Sequence, residues 1–228
     1  MTFAAPKSTL ALFILVDSTL KVMVEKLPDG TICLPAAVAD EALDQDLAFT
    51  CRRISKDLLG DFDYHLHHVR TFSGRGADSD AWRVNQLWAG IGRAQQLGEF
   101  DRSRMAFVDP DAVYCSAIWG ADNSDKLSTH DTAKLGLARE DLRQIAGRSK
   151  IPAMFLPREF TLPEMRNAYE VVSGLPIDDS NFRRKVENQS MIREVSFRTA
   201  TSRRPARTYE LVGVGLDLRQ SLIFRDKR

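Results

Sequence analysis

Ile177 to Leu211 reads IDDSNFRRKVENQSMIREVSFRTATSRRPARTYEL, and this stretch decides the C-terminal part of the chain. Asp178 and Asp179 are N-cap candidates, and acidic residues in a first turn suit the positive end of a helix dipole. At about 100° per residue, Phe182 and Val186 fall on one face of that helix and are expected to be buried. Arg184, Asn188 and Asn181 then point roughly the opposite way, with Lys185 near them and Arg183 on a flank. After Met191 the run MIREVS alternates as a half-buried strand, and ARTYEL can return beside it. The turn between them carries Ser202, Arg203, Arg204 and Pro205, with Arg198 and Arg207 on its stems. A basic helix followed by a basic hairpin is the layout of a winged helix. Such a helix enters the DNA major groove while the wing reaches backbone or minor groove.

Charge is concentrated in the same place. From Arg183 to Arg207 there are eight Lys or Arg against two Glu, a net +6, whereas the whole chain is +1 and the remainder therefore −5. A nearly neutral protein with its positive charge in one short segment carries a footprint for a polyanion. A solvated helix and a flexible Arg-rich turn would produce the same count, so the preceding element matters. There, PREFTLPEMRNAYEVVSGLP places Thr161 and Glu164 as a T-x-x-E capping box, predicting a helix from Leu162. Pro163 is tolerated in a first turn, and Leu162, Met165, Tyr169 and Val172 form an apolar stripe. Gly174 followed by Leu-Pro is a stop signal. The result is helix, four-residue turn, basic helix: a helix-turn-helix, with a plain helical hairpin as the alternative.

FTLPEMRNAYEVVSGLPIDDSNFRRKVENQSMIREV followed by RRPARTYEL resembles the C-terminal winged helix of the Nudix-related transcriptional regulators, whose best-known members are NrtR-type repressors of NAD biosynthesis and salvage. The NFRRK helix and the RPA-x-x-Y wing carry the resemblance, over roughly Ile151 to Leu211. It implies an N-terminal Nudix-like domain.

At 228 residues, 43% of them hydrophobic and 28% charged, the chain is ordinary globular material, long enough for one large or two modest domains. Three cysteines (Cys33, Cys51 and Cys115) without C-x-x-C spacing argue against a disulfide framework or zinc site and fit a reducing cytoplasm. Leu10 to Val16 is too short for a membrane span and lacks a small-residue cleavage site, so it reads as a buried strand.

Taken in order, Thr9–Val16 and Leu20–Val24 are strands joined by Asp17-Ser18-Thr19, and Pro28-Asp29-Gly30 is a turn. ICLPAAVADE leads into a helix with Leu43, Leu47, Cys51, Ile54 and Leu58 inward, ended by Gly60. Tyr64–Phe72 is expected as a strand, Ser73–Asp80 as a mobile loop, and Trp82–Ile91 as a strong strand. Met105–Val108 and Ala112–Trp119 read as short strands and Leu137–Gly147 as a helix. Ile151–Leu156 connects the domains and can add the first strand of the winged helix.

A hairpin, an LP-small-small turn, a helix ending in Gly and further antiparallel strands is also the order of a Nudix fold. In a catalytic Nudix enzyme the turn reads LPGG and the helix R-E-U-x-E-E-x-G, whose glutamates bind divalent metal ions. Here the turn is Leu34-Pro35-Ala36-Ala37, and the interval from Ala37 to Gly60 is two residues too long. Whether the motif is registered on Gly60 or on Ile54, only Asp57 can stand for a motif glutamate. The other acidic positions hold Ile54 and Leu58, or Arg53 and Lys56. Aliphatic and cationic side chains cannot ligate magnesium, so the resemblance implies a Nudix fold retired from hydrolysis.

Arg52, Arg53 and Lys56 can pair with ligand phosphates or simply form a solvated helix face. Arg75, Trp82 and Arg83 border the expected loop and can bind or stack on a nucleotide, or serve as core and edge residues. His65 and His67 share a strand face, but without Cys or acids nearby a metal pair is disfavoured. His130-Asp131 reads as a helix-start cap. No P-loop, G-x-S-x-G or nucleophile–base pair occurs.

The sequence therefore predicts an α+β, two-domain cytoplasmic protein. Residues 1–150 form a degenerate Nudix-like effector domain, and residues 151–228 a winged helix-turn-helix DNA-binding domain. The expected function is ligand-responsive, operator-specific binding of double-stranded DNA, as a homodimeric repressor, possible NAD metabolism being implied by the resemblance alone. The DNA-binding set is Asn181, Arg183, Arg184, Lys185, Asn188, Arg203, Arg204 and Arg207. No catalytic or metal site, required cofactor or membrane association is expected. The resemblance implies a nucleotide effector, ADP-ribose, NAD or ATP, although some related regulators sense sugars. The alternative is a Nudix-type diphosphohydrolase with a nucleic-acid-binding appendage. A third class, a nucleotide-binding protein that never meets DNA, would require the basic segment to be covered.

Overall fold

The structure, a computed structural model, describes residues 4–76, 79–119, 127–198, 206–213, 216–218 and 221–222. It divides into two compact units, one of residues 1–14 and 20–141, the other of residues 15–19 and 142–228.

The first unit is built on a mixed sheet. Its strands are β1 (Lys7–Val16), β2 (Thr19–Lys26), β3 (Ile32–Cys33), β4 (Ala36–Val38), β5 (Tyr64–Gly76), β6 (Ser79–Gly92) and β7 (Met105–Val108). The order is β3-β2-β1-β6-β5, with β4 paired to β1 and β7 to β2. β1 runs parallel to β6, while β4, β5 and β7 pair antiparallel with their neighbours. The unbroken apolar run of β1 follows from burial on both faces. Leu10, Leu12 and Ile14 pack with Met23, Cys51, Ile54 and Leu58 beneath helix α1 (Leu47–Leu59). Thr9, Ala11 and Phe13, on the opposite face, are fully buried too. Among the described residues the unit also holds a 3-10 turn (Ala94–Gln96) and two helices, α2 (Pro110–Trp119) and α3 (Thr129–Ala146), the latter continuing into the second unit after Asp141.

The second unit adds α4 (Ile151–Met154), α5 (Leu162–Ser173), α6 (Asp179–Asn188) and the hairpin β8 (Ile192–Arg198) with β9 (Ala206–Leu211). Its core is Phe155, Phe160, Met165, Tyr169, Val172, Phe182, Val186 and Met191. The Tyr169 and Phe182 rings meet edge to face at 5.6 Å, and the Tyr169 hydroxyl donates to the Ser149 carbonyl at 2.9 Å. The expected capping box is present, with Thr161 and Glu164 each accepting from the other's backbone amide. Gly174 closes α5 at φ 71°, a left-handed conformation that glycine adopts without a Cβ clash.

Several expectations are corrected. Leu43 lies outside α1 and is 64% exposed, because Asp46 caps the helix by accepting from Ala48 and Phe49. ICLPAAV forms β3 and β4 instead of running directly into a helix. Ser73–Gly76 and Ser79–Asp80 are paired strand, so the Gly-rich stretch extends a hairpin and is not a long loop. Ala112–Trp119 is helical: Asp109 accepts from the amides of Asp111 and Ala112, and Pro110 occupies the first helical position. Ile151–Leu156 holds the short helix α4, with Pro152 in its first turn. The pairing expected of it comes instead from Phe160, whose backbone bridges Tyr209. MIREVS does not alternate in burial: Arg193 through Phe197 are all exposed, and Val195 is an extra residue where the register shifts. Among the described residues no helix is long and apolar enough to cross a membrane.

Candidate nucleic-acid interface and effector site

α6 is positioned from its N-terminal end. Asp178 accepts from the Asn181 amide at 2.8 Å, and Asp179 receives Arg166 of α5 at 2.9 Å. The Ile177 amide donates to Glu170, which fixes the turn between the helices. Phe182 and Val186 are buried as expected, so the helix cannot rotate without exposing about 1.5–3 kcal/mol of apolar burial per side chain. That leaves Arg183, Arg184 and Asn188 exposed and Asn181 half-buried beside them. The Arg184 guanidinium donates to Asn181 Oδ1 at 2.9 Å, making one donor-rich pair. Arg183 pairs within the helix with Glu187 at 3.3 Å. Lys185 is turned away: its ammonium donates to the Ser221 carbonyl, and burial lowers its pKa from the ordinary lysine value.

On the hairpin, Arg207 pairs with Glu194 at 3.1 Å, while Arg193 bonds Glu210 and holds that carboxyl below its usual range. Arg158 also reaches Glu210, at 3.5 Å. Arg193 and Arg207 are thus paired within the hairpin, and the net charge counted along the sequence overstates what these two offer a polyanion. Glu210 lies outside the counted stretch, and its role follows only from the strand register. Arg203 and Arg204 lie outside the described residues. Sequence reasoning passed over Phe197, which is 60% exposed opposite Arg207. Its neighbours in an alternating strand gave no signal that both faces would be open.

The candidate effector residues fall into two groups. On α1, Arg52 is exposed and lies 5.6 Å over the Tyr64 ring. Arg53 forks onto Asp44 at 2.8 and 3.0 Å and donates to the Val38 carbonyl, so its guanidinium is committed to holding the segment before the helix. That partnership keeps the Asp44 carboxyl well below the usual carboxylate range. Lys56 pairs loosely with Asp61 at 3.5 Å. On the hairpin, Arg75 faces Trp82 and Gly74 faces Arg83, at the far end from Tyr64. Eleven residues of strand separate Tyr64 from Arg75, about 35 Å at about 3.3 Å per residue. One α1 group and one hairpin group therefore exist, and the fold does not bring them into a single cluster.

Asp57, the one acid left in the motif helix, pairs with Arg104 at 2.9 Å. Among the described residues no three His, Cys, Asp or Glu side chains are grouped to hold a metal ion. His67 bonds Asp141 at 2.8 Å, and His68 meets Thr71 and the edge of Trp88. Burial pushes the Cys33 thiol up to about 11 and Cys51 up to about 12, so neither is a thiolate at neutral pH. The α3 start is capped by Ser128, which accepts from the Asp131 amide, and His130 is exposed. The Asp131 side chain does not cap the helix; its carboxylate accepts from the Leu34 amide and from buried Lys134.

A mixed sheet covered by a helix with a single acid, Asp57, joined to a helix-turn-helix with a polar, outward second helix, defines the class: a Nudix-like domain combined with a winged helix. The family model of the NrtR DNA-binding winged helix domain matches residues 152–211. The chain is 24% identical over 186 residues, 77% of its own length and 68% of the other, to the ADPR responsive transcriptional repressor NtrR of Acinetobacter baylyi. It superposes on the crystal structure of Shewanella oneidensis NrtR complexed with a 27mer DNA with a TM-score of 0.77. Identity there is 26%, over 90% of this chain and 93% of that one. A MutT/nudix family protein from Enterococcus faecalis shares the fold alone, with a TM-score of 0.68 and 15% identity over 92% of this chain and 88% of that one. Its winged-helix segment thus matches the NrtR model, and the chain as a whole is similar to NrtR-type regulators built on a Nudix-like domain.

Proposed function

We propose that this chain is a DNA-binding transcriptional repressor whose Nudix-like domain senses ADP-ribose without hydrolysing it. The observation that carries the reading is the exposed Arg184–Asn181 pair on the second helix of an NrtR-type helix-turn-helix. An Arg fork beside an amide is suited to purine edges in the major groove. Likeness to a NrtR solved with a 27mer DNA supports operator binding, and likeness to an ADPR responsive repressor favours ADP-ribose over NAD, ATP or a sugar. The effector domain comprises residues 1–150 and the reader residues 151–228, working as a homodimer on two half-sites in double-stranded DNA. Asn181, Arg184 and Asn188 read bases. Arg183, Arg203, Arg204 and Arg207 grip the backbone, and Lys185 supports the helix from behind. Arg52 and Lys56 meet the effector phosphates, while Arg75, Trp82 and Arg83, at the far end of the hairpin, form a separate candidate region that the same molecule does not span.

Absence of hydrolysis rests on the pairing of Asp57 with Arg104, which leaves the motif helix no acid free of a cation. The test is capture of genomic fragments by the purified chain, sequencing of the captured DNA, and titration of the recovered operator with and without ADP-ribose. Enrichment of one short motif, with affinity altered by ADP-ribose, is expected. Uniform capture of all fragments overturns the reader assignment, and an affinity indifferent to ADP-ribose overturns the sensor assignment.

A further inference from the structure

Lys134 is a lysine where the fold has little use for one. Its residue is 4% exposed, on the face of α3 turned to the sheet, and burial lowers its pKa from the ordinary lysine value. Its ammonium donates to Thr9 Oγ1 at 3.2 Å and to Asp131 Oδ1 at 3.3 Å. The fully buried Thr9 hydroxyl passes its own proton to Asn85 Oδ1 at 3.1 Å, leaving a lone pair for the lysine. At the other end, Asp131 Oδ2 accepts from the Leu34 amide at 3.3 Å. One hydrogen-bonded chain therefore joins the Leu34-Pro35-Ala36-Ala37 turn, the start of α3, β1 and β6.

Three physical points make this chain more than a fastening. Burying an ammonium costs free energy, and an apolar side chain of similar volume is often neutral or stabilising in its place, so packing alone does not explain Lys134. Bonds of 3.1–3.3 Å sit at the long end of the hydrogen-bond range, where a small displacement of either partner breaks them. The ends of the chain also lie beside the two effector-candidate regions. The Leu34 turn precedes α1, and Asn85 is two residues from Arg83 and three from Trp82. α3 is a continuous 18-residue helix that contributes Thr129–Asp141 to the first unit and Leu142–Ala146 to the second. A displacement at Asp131 is thus carried along a stiff rod to Leu142, eleven residues or about 16 Å on.

We infer that Asp131 and Lys134 are positioning residues that transmit occupancy of the Nudix-like unit to the winged helix through α3. The inference rests on the ADP-ribose-sensing reading. An effector that orders the Leu34 turn or the β6 region lengthens or shortens this chain and resets the N-terminal part of α3. The residues touch neither effector nor DNA, so their loss leaves both binding events and removes the communication between them.

The experiment uses the full chain with Lys134→Met and Asp131→Asn, the operator recovered above, and ADP-ribose. In the wild type, saturating ADP-ribose is expected to shift operator affinity by roughly 5–150-fold, the usual range of allosteric coupling. Each variant is expected to bind operator alone and ADP-ribose alone within about threefold of wild type, with the shift reduced below about twofold. Retention of the wild-type shift by a folded variant overturns the inference. So does loss of both affinities together with thermal stability, which marks a merely structural pair. Asp131→Asn keeps side-chain volume and an acceptor for Leu34, so it carries the test should Lys134→Met fold poorly. A wild-type chain that binds both ligands without any shift refutes the sensor reading itself, a failure visible before either variant is measured.

Discussion

Arg184→Ala separates base reading from backbone grip. Arg184 is exposed, and its only described hydrogen bond is to Asn181 one turn earlier. Removing it opens no cavity and strands no buried group, so stability should change by no more than about 0.5 kcal/mol. Its guanidinium lies opposite Phe182 and Val186, which fix the helix rotation by being buried. An Arg fork on guanine O6 and N7 contributes about 1–3 kcal/mol of discrimination, so operator affinity should fall roughly 5–150-fold relative to scrambled DNA. Lys185→Ala is the internal control, because its ammonium is tied to the Ser221 carbonyl and does not belong to the reading face. It should change operator and scrambled binding by the same small factor. The assay is competition titration on both duplexes at several salt concentrations, with circular dichroism melts as the fold check. Equal loss on both duplexes for Arg184→Ala would refute the assigned helix face. No loss on either would remove α6 from the interface.

Three further outcomes are expected. With Asp57 paired to Arg104, the chain should turn over ADP-ribose or NADH with Mg²⁺ or Mn²⁺ far below about 1 s⁻¹, and Asp57→Asn should not alter that background; ordinary enzymatic turnover abolished by Asp57→Asn would reinstate a hydrolase. Tyr169→Phe leaves the buried Ser149 carbonyl without its phenolic donor and should cost about 1–3 kcal/mol, read as a lower melting temperature; an unchanged melt would show that the bond at 2.9 Å contributes nothing. Arg53 depresses the Asp44 carboxyl, so their pairing stabilises the fold above the unfolded aspartate pKa of about 3.9 and is lost as pH falls through the lower folded value. The melting gap between wild type and Asp44→Asn should therefore be full at neutral pH and shrink below about pH 4, and a gap constant with pH would refute this linkage.

Helix α6 was legible in the sequence because every signal for it is local. Asp178 caps it, Phe182 and Val186 repeat at i and i+4, and Thr161, Glu164 and Gly174 delimit its partner within 28 residues. The residue types along α1, with Asp57 as its one acid, were equally readable, since they stand at fixed spacing on one helix. α2 was misread because PDAVYCSAIW is a short, nearly continuous apolar run, which periodicity cannot assign to strand or helix, and the two propensities differ by only tenths of a kcal/mol per residue. The decisive cap, Asp109 with Pro110, lay just outside the apolar run. What each cation does was settled by tertiary structure alone. Arg53 commits its fork to Asp44, Arg207 pairs with Glu194, Arg104 with Asp57, and Lys134 reaches Thr9 across 125 residues of sequence. A charge chooses its partner by distance in space, at a few ångströms, and chain spacing carries no record of that distance until strands and helices have been laid beside one another.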